Sequence, residues 1–347
     1  MNAILENKPA TAPVKSRRRF PTELSIFLVL IGIGLVFEVF GWIVRDQSFL
    51  MNSQRLVLMI LQVSIIGLLA IGVTQVIIIG GIDLSSGSVV GATAMVVMSF
   101  AQTALVNGNP NPKAIFGDWA MDLPVIVPIV IGLACGLFAG LINGLLIAYT
   151  KIPPFIATLG MMVSARGFSK WWSNGSPISF PTEGYAAIGK GLNPVLIFIA
   201  LAIVFHCVMN YTKYGKHCYA VGSNEDAARM SGINVTNHKI LVYAIAGILA
   251  SAAAIVVSSK NLTAQAGMGV MYELDAIAMA VIGGISLSGG RGSILGTVLG
   301  ALIFGVIISG FTFLKLDAFY QEMVKGVIIV GAVVLDQWRQ RSRARGK

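Results

Sequence analysis

The segment Leu56-Val-Leu-Met-Ile-Leu-Gln-Val-Ser-Ile-Ile-Gly-Leu-Leu-Ala-Ile-Gly-Val-Thr-Gln-Val-Ile-Ile-Ile79 runs without a charged side chain. As a helix rising 1.5 Å per residue it reaches about 36 Å, enough to cross the roughly 30 Å hydrocarbon core of a bilayer. The rest of the chain is of the same kind. Of its 347 residues 56% are hydrophobic and only 12% charged, and the mean hydropathy is +0.80. Such a composition belongs to a polytopic membrane protein. About ten spans of some 20 residues use about 200 positions and leave short loops and tails, with no room for a second soluble domain. A soluble enzyme, a secreted disulfide scaffold and a DNA-binding protein are thereby excluded, despite a net charge of +10. The expected fold is an all-α transmembrane helical bundle.

The charge sits at the ends. Lys8, Lys15, Arg17, Arg18 and Arg19 precede the first apolar stretch, and Arg339, Arg341, Arg343, Arg345 and Lys347 follow the last. Lys and Arg accumulate on the cytoplasmic side, so both tails, 1–23 and 338–347, are expected there, which demands an even number of spans. Ten are expected within a transmembrane domain at 24–337: 24–44, 55–80, 86–106, 124–149, 155–173, 194–210, 239–259, 271–290, 293–313 and 321–337. The loops then placed inside carry more Lys and Arg than those outside. Eight spans would satisfy the same tails. Leu24 to Val44 is span-length, contains Glu38 and lacks a small-x-small cleavage site, so it reads as an anchor rather than a cleavable signal. The basic C-terminal tail is a topology signal with headgroup attraction, and no nucleic-acid partner is expected.

Two segments, Gly80-Gly-Ile-Asp-Leu-Ser-Ser-Gly87 and Gly283-Gly-Ile-Ser-Leu-Ser-Gly-Gly290, share one pattern 203 positions apart. This is either ordinary chemistry of helix ends and close helix packing, or an internal repeat whose helices break near a central pathway. Asp83, with Ser85, is a helix cap or a polar group at such a break. Asn143 is the one strongly polar residue of its span, a partner for another helix or for substrate. Between Asp275 and Gly290 too few residues remain for an unbroken crossing. Either Glu273 and Asp275 lie at depth, or the helix is short and ends at Gly283-Gly284. Two residues apart, the acids project about 200° apart and cannot face one pore together. Arg166 is expected to snorkel to headgroups. Cys135, Cys207, Cys218 and the three histidines show no ligand spacing. No disulfide, metal or cofactor is expected, and the histidines read as solvated or headgroup-facing.

The longest inside loop, 211–238, contains a short helix. Asn224 caps it, Glu225 and Asp226 lie in its first turn in favourable relation to the helix dipole, and Gly232 ends it about two turns later. With Ala227 and Ala228 on its face it is too weakly apolar to insert into lipid, which favours docking to a cytoplasmic partner.

The run Glu225-Asp-Ala-Ala-Arg-Met-Ser-Gly-Ile233 resembles the EAA-type coupling motif of ABC importer permeases. Together with Tyr214-Gly215-Lys216, Gly80 to Ser85, Pro154 to Gly160, Tyr272 to Ala278 and Gly283 to Leu287, it is similar to the ribose, xylose, galactose and inositol branch of the binding-protein-dependent permeases, from about position 50 to 337. Asp226 departs from the Ala of many EAA motifs, which leaves the docking register open by one residue. The resemblance implies a multi-pass permease of the bacterial inner membrane that imports a monosaccharide or polyol. It also implies a second permease copy, a cytoplasmic ATP-binding subunit docking on Asn224, Glu225, Asp226, Ala227, Ala228 and Gly232, and a periplasmic sugar-binding protein. Asp83, Ser85, Asn143, Glu273, Asp275, Gly283 and Gly284 are the candidates for the pathway or its helix breaks. The chain has no GxxxxGK(S/T) phosphate loop, so the energy must come from a partner or a gradient. A proton-coupled secondary transporter relaying through Asp83, Glu273 or Asp275 is the competing reading.

Overall fold

The computed structural model describes residues 22–345, and the basic cluster Lys8 to Arg19 lies outside them. The described chain is helical: α1 (Thr22–Phe40), α2 (Ser53–Ile78), α3 (Ser86–Ala101), α4 (Ile126–Thr150), α5 (Pro154–Trp172), α6 (Glu183–Ala186), α7 (Asn193–Tyr211), α8 (Lys213–Ser223), α9 (Glu225–Met230), α10 (Val235–Asn261), α11 (Tyr272–Ile282), α12 (Ile294–Phe313) and α13 (Ala318–Arg345). A helix occupies each of the ten stretches expected to span. Among the described residues six helical segments are long and apolar enough to cross a membrane: Glu23–Arg45, Ser53–Ile78, Ile126–Thr150, Asn193–Tyr211, Val235–Asn261 and Ile294–Phe313. α3 and α11 are shorter than the spans expected at 86–106 and 271–290: α3 starts as expected but stops at Ala101, where the chain enters a hairpin, and α11 stops at Ile282, before Gly283-Gly284. α11, with 11 residues, rises only about 16 Å.

α2 and α10 form the buried centre, whereas α1 and α7 are largely exposed and present Leu, Ile, Val and Phe outward. An apolar exterior is what a lipid-facing helix requires. The closest seam joins α4 to α10. Gly132, Gly136, Gly140 and Gly144 recur every fourth residue of α4, and so share one face. A Cβ at Gly136 would run into Ser251 Oγ and Gly247 O, one at Gly140 into Tyr243 O, and one at Gly144 into the Ile240 backbone. Without side chains at these positions the two backbones approach directly. In lipid, where no hydrophobic drive brings helices together, such van der Waals contact is a principal source of association.

At the end of α10 remote from α9, Ser258 Oγ pairs with Tyr185 Oη at 2.7 Å. Ser259 Oγ donates to Tyr185 O and accepts from Gly189 N, each at 2.7 Å. Beyond α10, β4 (Thr263–Ala264) pairs antiparallel with β3 (Ile178–Ser179). A second hairpin pairs β1 (Leu105–Val106) with β2 (Asn109–Pro110) at the same end, since Gln102 bridges to Pro181. From β4 the chain turns back into the bundle along α3. There Arg166 does not snorkel: its Nη1 donates to Ala266 O at 2.8 Å and Met268 O at 2.9 Å. Two carbonyls of a non-helical segment need donors inside the bundle, and the half-buried guanidinium supplies them.

Gly136→Val is expected to lower the stability of the detergent-solubilised protein by about 1–3 kcal/mol, through overpacking of the α4–α10 seam. Gly160→Ala, at a position with no atom within 4 Å of the added methyl, leaves the melting temperature unchanged or raises it. Thermal-shift melting of both variants checks the pair; equal losses would remove the seam from its place in the fold.

Candidate functional site

Three helices of different length end in one way. At α2 the amide of Gly80 donates to Ile77 O and that of Gly81 to Val76 O, each at 2.9 Å. At α11 Gly284 donates to Val281 O and Ile285 to Ala280 O. At α9 Gly232 donates to Arg229 O and Ile233 to Ala228 O. Each is a Schellman cap, which needs a left-handed residue at its turn, and Gly80, Gly284 and Gly232 have φ of +80°, +86° and +86°. The two glycine-rich segments therefore correspond structurally with Gly80 opposite Gly284, one residue out of the register of their shared letters. Both segments supply a capping glycine, at different letters of the shared pattern. The acids beyond confirm that α11 is both short, ending at Ile282, and buried: Glu273 and Asp275 are 8% and 5% exposed.

The two breaks meet. Gly290 donates its amide to Ile78 O, at the end of α2, at 2.8 Å. Against this joint sits the last turn of α8, which sequence reading left as loop. A Cβ at Gly222 would collide with Ile78 O and would lie 2.6 Å from Gly290 N, and Gly289 lies directly beside Gly80. Tyr219 Oη donates to Gly292 O at 2.9 Å and Tyr214 Oη to Gln75 Oε1 at 2.7 Å. Thus α8 is stapled to the end of α2 and to the segment between α11 and α12. One residue beyond Ser223, Asn224 begins α9.

The cap of α9 forms as expected, but Ala228, expected beside Ala227 on the docking face, is turned inward. Asn224 Oδ1 accepts from Ala227 N at 2.9 Å, and Asp226, Ala227, Arg229 and Met230 are exposed, Met230 by 90%. Ala228 is buried against the body. Glu225 does not simply point outward: its carboxylate takes Arg229 at 3.1 Å and Lys239 at 2.7 Å. Because Lys239 lies in the first turns of α10, that bridge ties α9 to α10. Beneath α8, His238 is buried rather than solvated, with Nε2 3.3 Å from Cys218 Sγ. Burial pushes the Cys218 thiol up to about 12, so it is a protonated packing group and not a nucleophile.

A second polar group lies where the chain leaves the first break and starts α3. Asp83 Oδ1 accepts from Ser85 N at 2.8 Å and from Ser85 Oγ at 2.6 Å, while Asn143 Nδ2 donates to Ser85 Oγ at 2.9 Å. Asp83 thus holds the turn that leads into α3, whose N-cap position is Ser85 rather than Asp83, and Asn143 joins α4 to it. The Glu273 carboxylate reaches the same turn and lies against Gly87. Three buried atoms there have no hydrogen-bond partner: Ser86 Oγ, Asn143 Oδ1 and Glu273 Oε2. Asp275 faces away, and its Oδ2 accepts from Lys325 Nζ of α13 at 3.0 Å. The two acids thus part to opposite sides as their spacing requires. The sequence candidates fall into two sets, Asp83, Ser85, Asn143 and Glu273 around α3, and Gly283 and Gly284 at the end of α11, where Gly283 packs on Gly296 of α12. Asp275 belongs to neither. Lys325, Tyr219 and Gly222 escaped sequence reading; a lysine in an apolar helix was the available signal for the first. Among the described residues no group of three His, Cys, Asp or Glu is placed to hold a metal.

A family model described as branched-chain amino acid transport system / permease component matches residues 55–333. The chain is 37% identical over 344 residues to the ribose import permease protein RbsC of Escherichia coli strain K12, covering 95% of this chain and 99% of that one. To the protein of the same name from Bacillus subtilis strain 168 it is 36% identical, covering 88% and 91%. To the galactose/methyl galactoside import permease protein MglC of E. coli K12 it is 34% identical, covering 93% and 96%. No solved structure matches the chain.

Asp83→Ala removes the acceptor for Ser85 N and Oγ and is expected to cost about 1–3 kcal/mol, whereas Asp83→Asn keeps an acceptor for Ser85 and costs less. Thermal melting of the purified chain ranks the two. Equal losses would show that the charge, not the accepting oxygen, holds the turn.

Proposed function

The chain belongs to the branched-chain amino acid transport system / permease component family, and from that membership we propose that it is the pathway-forming subunit of an ATP-driven importer for a monosaccharide or polyol. It is a transport subunit and not an enzyme. Near full-length similarity to ribose and galactose permeases supports the substrate class. In this reading the permease crosses the bacterial inner membrane ten times with both tails in the cytoplasm. Two copies enclose the pathway, a cytoplasmic ATP-binding subunit docks on each α9, and a periplasmic binding protein delivers the sugar.

The observation that carries the mechanism is the seat of α8 between the two helix breaks. A nucleotide-driven push on the exposed Asp226, Ala227 and Met230 face moves α9. Its neighbour α8 has no slack, because Gly222 lies on Ile78 O and Tyr219 holds Gly292. The push therefore arrives at the end of α2 and at the α11–α12 turn together, where Gly80 and Gly284 already occupy backbone conformations open to rearrangement. Through Lys239 the same push reaches α10. Packed cores switch between discrete arrangements rather than deforming continuously, which suits alternation between outward and inward states. Asp83, Ser85, Asn143 and Glu273 lie just beyond the first break. Hydroxyl-rich solutes are recognised by hydroxyl, amide and carboxylate groups of this kind, and rearrangement of the break would present the three unpartnered atoms to such a solute.

Uptake in proteoliposomes tests the reading. Sugar accumulation is expected only when the chain is reconstituted with its ATPase and binding protein and supplied with ATP. Tyr219→Phe, which removes only the hydroxyl that holds Gly292, is expected to lower uptake per ATP hydrolysed while leaving ATPase binding intact, and Gly222→Val to lower it by about tenfold or more, equivalent to about 1.4 kcal/mol. Accumulation by the chain alone under a proton gradient, abolished by neutralising Asp83, Glu273 or Asp275 and indifferent to both α8 variants, would overturn the proposal in favour of a secondary transporter.

A further inference from the structure

A cavity of about 440 Å³ opens between α2, α11, α12 and α13. It is unlike the polar group at α3 in both position and charge. Its walls include Arg45, Arg55, Lys315 and Lys325, and Asp275 is the one acid among the lining residues. Since Lys325 is already paired with Asp275 at 3.0 Å, three cations are left without an acidic partner in the lining. All three lie at one end: Arg45 closes the turn after α1, Arg55 is in the first turn of α2, and Lys315 follows α12. Arg55 is held in place, its guanidinium carbon 3.9 Å from the centre of the Phe313 ring. Yet its Nη1 is buried with no hydrogen-bond partner. A guanidinium fixed on an aromatic ring, only partly buried and with no acid beside it in the lining, keeps donors for an anion, and such donors form their strongest bonds to carboxylate or phosphate oxygen.

The remainder of the cavity says which anion. From Arg55 the α2 wall descends through Leu58, Met59 and Val63 to Ile66, about 16 Å along the helix, opposite Ile308 and Phe304 of α12. A small soluble anion would leave that apolar length bare. A molecule with an anionic head and a hydrocarbon chain fits both parts: the head among the cations, and the chain along the wall in the direction a lipid tail takes in a membrane. We propose that this cavity binds an anionic phospholipid, its phosphate on Arg55, Arg45 and Lys315 and the upper part of one acyl chain between α2 and α12. This site is independent of the sugar-import reading and would persist if that reading failed.

Native mass spectrometry of the full-length permease tests it, after delipidation and incubation with phosphatidylglycerol, phosphatidylcholine or inorganic phosphate. Phosphatidylglycerol is expected to be retained about tenfold more than phosphatidylcholine, a preference worth about 1.4 kcal/mol. Arg55→Gln and Lys315→Gln should bring the two lipids to parity, Arg55→Lys should keep most of the preference, and Lys213→Gln, on α8, should change nothing. Because Arg55→Gln also removes a ring contact, the exposed Lys315 variant separates lost charge from lost packing. Equal retention of both lipids by the wild type, or a preference that survives both neutral variants, would overturn the assignment. Release of bound phosphatidylglycerol by millimolar inorganic phosphate, with no lipid preference remaining, would reassign the cations to a soluble anion and overturn it equally.

Discussion

Everything in this bundle follows from the obligation to satisfy backbone amides and carbonyls where no water can do so. A continuous helix meets that obligation by itself. This chain interrupts its helices after Ile78 and Ile282 and also sends a non-helical segment, Gln265 to Met271, back alongside α3. Each interruption strands polar groups, and each is answered locally. Schellman caps take up the last carbonyls of α2 and α11, Gly290 donates to Ile78 O, and Arg166 spans two carbonyls of the returning segment. The arginine is costly in lipid on its own. Here it replaces the sheet or helix partners that the segment lacks, so two expensive features offset each other.

Close approach is the second theme, and it divides the glycines by purpose. Those of α4 remove side chains so that α4 and α10 touch backbone to backbone, which makes a rigid unit. Gly222, Gly289 and Gly290 remove side chains at the meeting of three chain segments, two of which are helix breaks with soft dihedrals. The same residue type thus builds both the stiffest contact and the most adjustable one. Whether glycine stiffens or loosens depends on what lies opposite: intact helix in the first case, unwound chain in the second.

The sequence disclosed the helical class, the places of ten helices and the α9 cap, because hydropathy and capping are local properties read over a few consecutive residues. It also disclosed that Glu273 and Asp275 diverge, since helical periodicity alone demands it. What escaped was mutual placement. Nothing local to Gly222 reveals Ile78, and nothing in Lys325 names Asp275, 50 residues earlier. α8 was missed although Lys213 to Ser223 is amphipathic, with Gly215, Cys218 and Val221 buried at intervals of three; its two glycines and low overall hydropathy read as loop, and the tyrosine hydroxyls that hold it reach distant Gln75 and Gly292. Arg166 and His238 were read as solvated for a related reason: their partners, Ala266, Met268 and Cys218, come from other elements. The α4 glycines at intervals of four were legible, and they state a helix-packing face as plainly as any motif in the chain. The matching glycine segments show the opposite hazard, since their letters align in one register and their backbones in another.

The bridge from Glu225 to Lys239 has a mechanical meaning that its electrostatics do not convey. α10 has 27 residues, a rod of about 40 Å, free of proline and glycine apart from Gly247, which is wedged into α4. At one end it is gripped by α9, and at the other Ser258 and Ser259 hold Tyr185 and Gly189. Contacts at both ends make α10 a link between α9 and the hairpin end of the bundle. A tilt of such a rod by about 5° about its α9 end would move the far end by about 3.5 Å, and Tyr185 and Gly189, bonded to Ser258 and Ser259, would have to travel with it.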